Sequence, residues 1–338
     1  MAITIDDIAR ETGYHRTTVS KILAGDKRCY ASAKTRELIM ETAKRLNFVP
    51  NYFARSLQMR RSYAVGVVGR LEASGVTGAM FRAIVEGLRA KSYLPLFYEC
   101  SALRQDEDRA LQEMRQRMVD GIILEVYSDI EALKRVLTGD IPLVTILNSN
   151  TSTLPSVVSD RFEAFSTGTQ WLVDRGHKRI AFMGVGMVEA MLSSFNVTRL
   201  KFEGYRSVLE RHGLHDVTLV CDGGPQSGDT REFVRAHGEL FKSVTAVMAC
   251  SDRVAIEVMT GLAEMGIRVP NDCSVIGFDD TDFAVAVNPR LTTFNPRRAE
   301  VGARAVEMVL NLIEGKPVEN VTIIPELIIR ESAGPCRG

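Results

Sequence analysis

The sequence predicts two kinds of fold in one chain: an N-terminal all-α helix-turn-helix head with a hinge helix, and a two-lobed α/β body built on parallel sheets. Three observations predict this arrangement. The 338 residues exceed one ordinary hydrophobic core. Helical periodicity dominates residues 1–50, and short β-branched runs alternate with amphipathic stretches from Tyr63 onward. We therefore expect a head at 1–50, a hinge helix and linker at 51–61, and a body at 62–338.

Three short helices are predicted in the head. The first begins after Thr4, a residue type that caps helix N-termini, and Gly13 ends it. The second runs from about Arg16 to Ala24, and the third begins at the capping residue Ser32. Short helices joined by a tight glycine-containing turn are typical of a helix-turn-helix module.

The second predicted helix turns polar side chains away from its apolar face. Val19 and Ile22 form the apolar face, and Arg16, Thr17 and Lys21 lie on the exposed side. Arg and Lys can donate to guanine O6 and N7 in the major groove, and Thr offers a methyl and a hydroxyl. We expect base contacts there; the alternative is a merely solvated face. Hydroxyls near the same surface are expected to contact phosphates, which position without specifying, at Thr4, Thr18 and Ser20.

Charge is divided unevenly along the chain. The 42 basic and 42 acidic residues cancel overall, but residues 1–61 hold 12 Lys and Arg against 6 Asp and Glu, a net charge of +6 that leaves −6 for the remainder. A basic head on an acidic body fits binding to nucleic acid, because cations near phosphates release condensed counterions. A solvated basic face is the alternative that charge alone leaves open.

In the body, strand-helix alternation predicts parallel sheets covered on both faces. One of the predicted helices spans 229–242. Roughly ten such units are more than one sheet holds comfortably, so we expect two similar lobes. Ligands in such folds bind at the carboxyl ends of the strands, and the cleft between the lobes is the expected binding site.

Several function classes find no support in the sequence. The six cysteines lie far apart with no CxxC pair, which predicts reduced thiols in a cytoplasmic protein and no metal site. No apolar run reaches the ~18 residues of a membrane span, and Met1 leads into ITIDDIAR rather than a secretion signal. The GVG at 184–186 lacks the rest of a dinucleotide fingerprint, and no catalytic cluster is apparent. We expect neither an enzyme nor a cofactor.

An ordered set of motifs resembles the LacI/GalR family of bacterial transcription regulators over essentially the whole length. The head carries TIDDIARETG, TTVSKIL, SAKTRELI and FVPNYFARSL; the body carries VDGIIL, IPLVTI, RGHKRIAFMG, FEGY, IRVPNDCSVIGFDD, RLTTF and PELIIRES. The resemblance implies a periplasmic-binding-protein-like body with an N-lobe at about 62–162 and 296–324 and a C-lobe at about 163–294 and 325–338. It also implies a homodimer that binds a near-palindromic operator in double-stranded DNA and responds to a small-molecule effector.

The resemblance implies roles for particular residues of the head. Positions matching Arg16, Thr17 and Lys21 read bases, and His15 stands where the family usually has Ser as the helix N-cap. The segment after Pro50 matches the hinge helix, whose paired copies lie in the minor groove and insert an apolar wedge at Leu57, which kinks the duplex. The hinge residues of interest are Asn51, Ala54, Arg55 and Leu57.

The resemblance also implies an effector site in the body, for a sugar or sugar derivative. Asp279, after an apolar strand, matches a residue that accepts hydrogen bonds from effector hydroxyls or ring nitrogens; a loop cap is the alternative. Lys201 stands where the family often uses Arg, and Arg199 either substitutes for it or pairs with an acidic neighbour. Asp252 follows another strand. The lengthened loop at 70–80 lacks the usual aromatic lid, so that Arg70 and Ser74 suit an anionic or larger sugar.

A sugar-binding transport-type receptor is the alternative reading, because it would share the two-lobed body. Such a protein requires a secretion signal and has no helix-turn-helix module. Residues 1–61 argue against it.

Overall fold

The computed structural model describes residues 3–25, 28–49, 61–69, 76–100, 104–125, 141–147, 154–185, 197–221 and 229–337. Contacts divide the chain into two units, Met1–Ser62 and Tyr63–Gly338. Six residues of the predicted sites lie outside the described residues: Asn51, Ala54, Arg55, Leu57, Arg70 and Ser74.

The first unit contains the three helices that the sequence predicts: α1 (Ile5–Thr12), α2 (Arg16–Leu23) and α3 (Ala33–Arg45). Each begins after a side chain that accepts a hydrogen bond from a backbone N–H of the first turn, contributed by Thr4, His15 and Ser32. These caps satisfy amides that have no partner within the helix.

The three helices enclose a small core. Its buried residues come one or two from each helix and from the turn before α3: Ile8, Val19, Ile22, Cys29, Ile39 and Ala43. Helices this short are marginal alone, so burial of these apolar side chains stabilises the head.

The second unit alternates strands and helices. In chain order its elements are β1 (Ala64–Gly69), α4 (Gly78–Ala90), β2 (Leu94–Glu99), α5 (Arg104–Gln116), β3 (Gly121–Glu125), β4 (Leu143–Leu147), β5 (Ser156–Ser159), α6 (Arg161–Val173), β6 (Ile180–Val185), α7 (Val197–His212), β7 (Val217–Cys221), α8 (Asp229–Ala236), α9 (Gly238–Ser243), β8 (Ala246–Ala249), α10 (Asp252–Glu264), β9 (Ser274–Ile276), α11 (Asp282–Ala286), β10 (Thr293–Asn295), α12 (Arg298–Ile313), β11 (Val321–Ile323) and β12 (Glu326–Ile328).

The strands form two parallel sheets, as expected for two lobes. One has six strands in the order β11-β5-β4-β3-β1-β2, and the other has four in the order β7-β6-β8-β9. Strands β10 and β12 pair antiparallel. After β10 the chain crosses back to the first sheet, because α12 packs against β3, β4 and β5 and β11 joins that sheet. The first residues of α12 therefore lie at a crossing between the lobes.

One predicted helix is wrong. Residues 229–242 were expected to form a single helix, but α8 ends at Ala236 and α9 begins at Gly238. Glycine is the weakest helix former apart from proline. Phe241, after the break, is fully buried in the core of the second lobe, so tertiary packing favours the change of direction.

Two further findings concern the described residues alone. No helix among them is long and apolar enough to cross a membrane. Five cysteines there are free thiols, and four of these are buried: Cys29, Cys100, Cys250 and Cys273.

Candidate functional site

The exposed face of α2 carries the three predicted base-reading residues. Arg16, Thr17 and Lys21 are exposed, whereas Val19 and Ile22, on the same two turns, are buried in the head core. The core therefore sets the rotation of the helix about its axis. A helix with two cations and a threonine on its exposed face suits entry into a major groove.

Local contacts hold two of these side chains. The Arg16 Nε lies 3.4 Å from Asp6 Oδ1 in an exposed ion pair. The Thr17 hydroxyl is 2.9 Å from His15 Nδ1, and the same nitrogen accepts from the Thr17 N–H at 3.4 Å. His15 is thus the helix cap at the position where the family usually has serine. An exposed ion pair is worth little, so Arg16 remains available to a base.

The predicted phosphate contacts occupy more constrained positions. Thr4 forms a capping box with Asp7: its hydroxyl accepts from the Asp7 N–H, and the Asp7 carboxylate accepts from the Thr4 N–H at 2.9 Å. The Thr4 hydroxyl also donates to the same carboxylate at 2.7 Å, and this bond, together with the bond from the Thr4 N–H, lowers the pKa of the Asp7 carboxyl. Thr18 and Ser20 are half-buried on α2. Their contacts with phosphates stay a prediction.

In the body, Asp279 lies just after β9 and forms an ion pair with a residue that the sequence analysis did not single out. Arg298 Nη2 donates to Asp279 Oδ1 at 2.5 Å, and each side chain is only 13% exposed. Because Arg298 is the first residue of α12, the pair joins the end of a strand in one lobe to the crossing between the lobes.

The backbone at Asp279 has an unusual conformation. Asp279 has φ 123° and Asp280 has φ 49°, both in the region that favours glycine. Asp280 is held by Arg330 Nη2 at 2.6 Å and by the Asn295 amide at 2.9 Å. Non-glycine residues in such conformations cost about 1–3 kcal/mol and concentrate at functional sites, so the geometry favours a ligand role for this turn.

Lys201 lies near the start of α7 and is buried. Its Nζ donates to the Cys250 carbonyl at 2.7 Å and lies 4.0 Å from the centroid of the Phe278 ring. Burial lowers the pKa of Lys201 to about 8, and the neighbouring guanidinium of Arg161 lowers it as well, whereas Asp279 raises it. The Arg161 guanidinium lies 5.2 Å from the centroid of the same Phe278 ring, so Lys201 and Arg161 share this part of the site.

Two other predicted effector residues are engaged by protein atoms. Asp252 accepts from the Thr281 N–H at 2.7 Å, from the Thr281 hydroxyl at 3.0 Å and from the Thr293 hydroxyl. Burial raises the pKa of its carboxyl. Arg199 donates to Glu203 one turn along α7 at 2.7 Å in an exposed ion pair. Of the two roles that the sequence left open for Arg199, this contact corresponds to pairing with an acidic neighbour. It points the side chain along the helix surface.

Facing this cluster, the first lobe contributes the ends of its own strands. A small cavity of about 20 Å³ there is lined by Glu125 at the end of β3, Ser159 at the end of β5, Arg161, Pro296 and Arg298. It lies at the carboxyl ends of parallel strands, where ligands of such folds bind.

Sequence reasoning missed Glu125, Arg161 and Arg298. One signal was present: Arg161 and Arg298 each open a long helix, where the helix dipole disfavours a cation. A basic residue at that position indicates either an anionic neighbour or an anionic ligand. No such signal marks Glu125, which ends an ordinary apolar strand.

A helix-turn-helix head and a two-lobed parallel α/β body with a cleft site together define a class of protein: transcription regulators that bind DNA and a small ligand. Family models agree. Residues 4–51 match the model of bacterial regulatory proteins of the lacI family, and residues 169–333 match the periplasmic binding protein-like domain.

Relatives extend the match to nearly the whole chain. Catabolite control protein A of Priestia megaterium is 30% identical over 328 residues, 95% of each chain. The HTH-type transcriptional repressor PurR of Pasteurella multocida is 28% identical, covering 97% of this chain and 98% of its own. The chain belongs to the lacI family, and it is a DNA-binding transcriptional repressor with a ligand-binding body.

Solved structures share the fold. The lac repressor dimer bound to operator and the anti-inducer ONPF superposes with a TM-score of 0.88, at 23% identity, over 98% of this chain and 99% of that one. A lacI-family regulator from Silicibacter pomeroyi gives 0.81 at 25% identity, over 98% and 99%.

Proposed function

We propose that this protein represses transcription by binding a near-palindromic operator as a homodimer, and that a small molecule bound in the cleft of the body changes its affinity for DNA. The exposed Arg16, Thr17 and Lys21 on α2, above a buried Val19 and Ile22, carry the proposal. The similarity to a lac repressor structure with operator and a small ligand supports it.

If Arg16 reads a base, its replacement changes the sequence preference of the protein as well as its affinity for DNA. Arg16→Ala removes the donor to guanine, so specific affinity falls by about 1–3 kcal/mol and sequence preference relaxes at one position of each half-site. Selection of binding sites from a random DNA pool, followed by titration of the selected duplex, measures both.

The control for Arg16 is Arg10→Ala, which removes an equally exposed cation from α1, where it pairs with Asp7 at 3.2 Å. Loss of a general cation weakens binding to all sequences alike. An unchanged sequence preference in Arg16→Ala, or the same relaxation in Arg10→Ala, contradicts the assignment.

The hinge residues Asn51, Ala54, Arg55 and Leu57 belong to the same proposal. We propose that Leu57 inserts into the central base step of the operator and bends it. Leu57→Ala then weakens specific binding severely and spares nonspecific binding; equal losses on both DNAs contradict the wedge.

In the body, Asp279 and Lys201 are proposed to contact the effector, with Asp252, Arg199, Arg70 and Ser74 as further candidates. Their position supports this role: Asp279 follows β9, and Lys201 Nζ donates to the carbonyl of Cys250, the residue that follows β8, so both side chains lie at carboxyl ends of the second sheet. Effector binding then changes the affinity for DNA through an equilibrium between two conformations of the protein. The coupling free energy between two such sites is typically ~1–3 kcal/mol.

A further inference from the structure

Three cations from three helices meet at the cleft. Arg161 opens α6, Lys201 lies near the start of α7 and Arg298 opens α12. The Arg161 guanidinium lies 5.2 Å from the centroid of the Phe278 ring, and Lys201 Nζ lies 4.0 Å from the same centroid. Arg161 and Arg298 also line one cavity.

Carboxylates also reach this cluster, and Glu125 lines the same cavity as Arg161 and Arg298. The charged groups that most affect Lys201 are Arg161 and Arg298, which repel it, and the Asp279 carboxylate, which attracts it together with Cys250. Asp279 is already paired with Arg298. The Asp252 carboxylate below is bonded to Thr281 and Thr293.

One donor of the cluster is buried without a partner among the described residues: the Arg298 Nε. A buried donor left unsatisfied costs about 1–3 kcal/mol, and more when it is charged. A ligand acceptor at this position would remove that cost.

Helix orientation adds to the positive potential. Arg161 and Arg298 are the first residues of α6 and α12, where the helix dipole disfavours a cation and favours an anion. At α6 the Asp160 carboxylate already accepts a hydrogen bond from the Glu163 N–H at 2.9 Å. At α12 the side chain of the N-cap residue, Arg297, makes no capping hydrogen bond, and the Arg297 N–H donates to Asn295 Oδ1 at 2.7 Å.

We propose that the effector is acidic: a hydroxylated small molecule whose carboxylate or phosphate is held by Arg298, Arg161 and Lys201. This inference rests on the proposed effector site in the cleft. A guanidinium binds either oxyanion through two parallel hydrogen bonds, which an ammonium does not. Asp279 and Glu125 are acceptors, so they suit the hydroxyl groups of the same ligand.

Matched pairs of sugars test the charge of the ligand directly. Isothermal titration of the full chain without DNA at pH 7 compares glucose with glucuronate, galactose with galacturonate, and glucose with glucose 6-phosphate. We expect at least one acidic member to bind at least about tenfold more tightly than its neutral partner, and the two acidic arms separate carboxylate from phosphate. Equal or tighter binding by the neutral members, or no binding by any acidic probe, overturns the proposal.

Variants then assign the binding to the cluster. Arg298→Met keeps the length of the side chain and removes its charge, so affinity for the preferred acidic probe falls at least about tenfold, while Arg298→Lys retains part of it. The matched control is Arg304→Met on the exposed side of the same helix, where Arg304 pairs with Glu307 at 3.0 Å; it leaves affinity unchanged. If Arg298→Met does not fold, Arg161→Met replaces it. Undiminished binding in whichever of these two variants folds overturns the assignment.

Operator binding is measured on the same proteins with and without each sugar. Absence of operator binding by the unmodified chain under every one of these conditions contradicts the proposed function, whereas intact operator binding with a preference for neutral sugars contradicts the acidic effector alone.

Discussion

At the scale of single residues, Lys201 shows how burial changes what a side chain can do. Its ammonium is held by the Cys250 carbonyl and the face of Phe278, and burial brings its pKa to about 8, close to neutrality. An arginine, which the family often has here, stays charged at any ordinary pH. The substitution makes the charge of this site depend on pH.

Binding of an acidic effector is therefore expected to weaken as pH rises through about 8. The ligand favours the protonated ammonium, so affinity is full below the pKa of Lys201 and falls above it. The groups facing the ammonium are Arg161, Asp279, Cys250 and Arg298. Titrating the preferred acidic sugar between pH 7 and 9.5 gives the profile.

Lys201→Arg is the control for that profile, because its charge does not titrate in the range. A flat profile in the variant with a falling one in the natural chain is the expected pair of results. If both profiles fall alike, another group is responsible for the pH dependence.

At the scale of elements, glycine sets how closely α7 approaches α6. A Cβ built at Gly204 would lie 2.2 Å from the Phe162 carbonyl oxygen and 3.1 Å from the Ser166 nitrogen, both backbone atoms of α6. This approach brings the start of α7, with Lys201, beside the start of α6, with Arg161. The close packing of α7 against α6 thus explains why a glycine stands in the FEGY motif.

Gly204→Ala is expected to destabilise the protein although alanine favours helices. Forcing two helices apart costs about 1–3 kcal/mol, which outweighs the ~1 kcal/mol gained in helix propensity. Urea denaturation measures the net change. Gly78→Ala is the control, since nothing lies within 4 Å of a Cβ there and α4 begins at this residue. Stabilisation by both substitutions contradicts the close-approach argument.

At the scale of the whole molecule, exposed apolar side chains in the body suit a second copy of the chain. Phe283 and Val285 on α11 are 66% and 53% exposed, and Leu94 and Phe97 on the edge strand β2 are 60% and 42% exposed. Edge strands and large apolar side chains in solution favour association. A dimer would also supply the two heads that a near-palindromic operator requires.

Phe283→Lys combined with Leu94→Lys is expected to give a monomer, because association would bury two unpaired charges. Sedimentation equilibrium measures the mass, and operator titration should show a loss of specific affinity. Leu240→Lys is the control, an exposed apolar residue (37%) on α9. A double variant that stays dimeric excludes these faces from the interface.

Prediction from sequence worked where the signal is local. The caps Thr4 and Ser32, the periodicity of Val19 and Ile22, and the alternation of strands and helices follow from neighbouring residues, and the structure shows the corresponding elements. The prediction of a single helix at 229–242 was wrong, because the burial of Phe241 depends on packing in a core formed by residues distant in the sequence.

By itself, then, the sequence determined the class of the protein, the three head helices and the exposed face of α2, and it singled out Asp279 and Lys201 as effector candidates. Only the tertiary structure decided that Arg161 and Arg298 join them, that Asp252 is bonded to Thr281 and Thr293, and that Arg199 pairs with Glu203. The physical reason is that periodicity reports which face of one element is buried, whereas strand order and the crossing into α12 decide which distant side chains share a cleft.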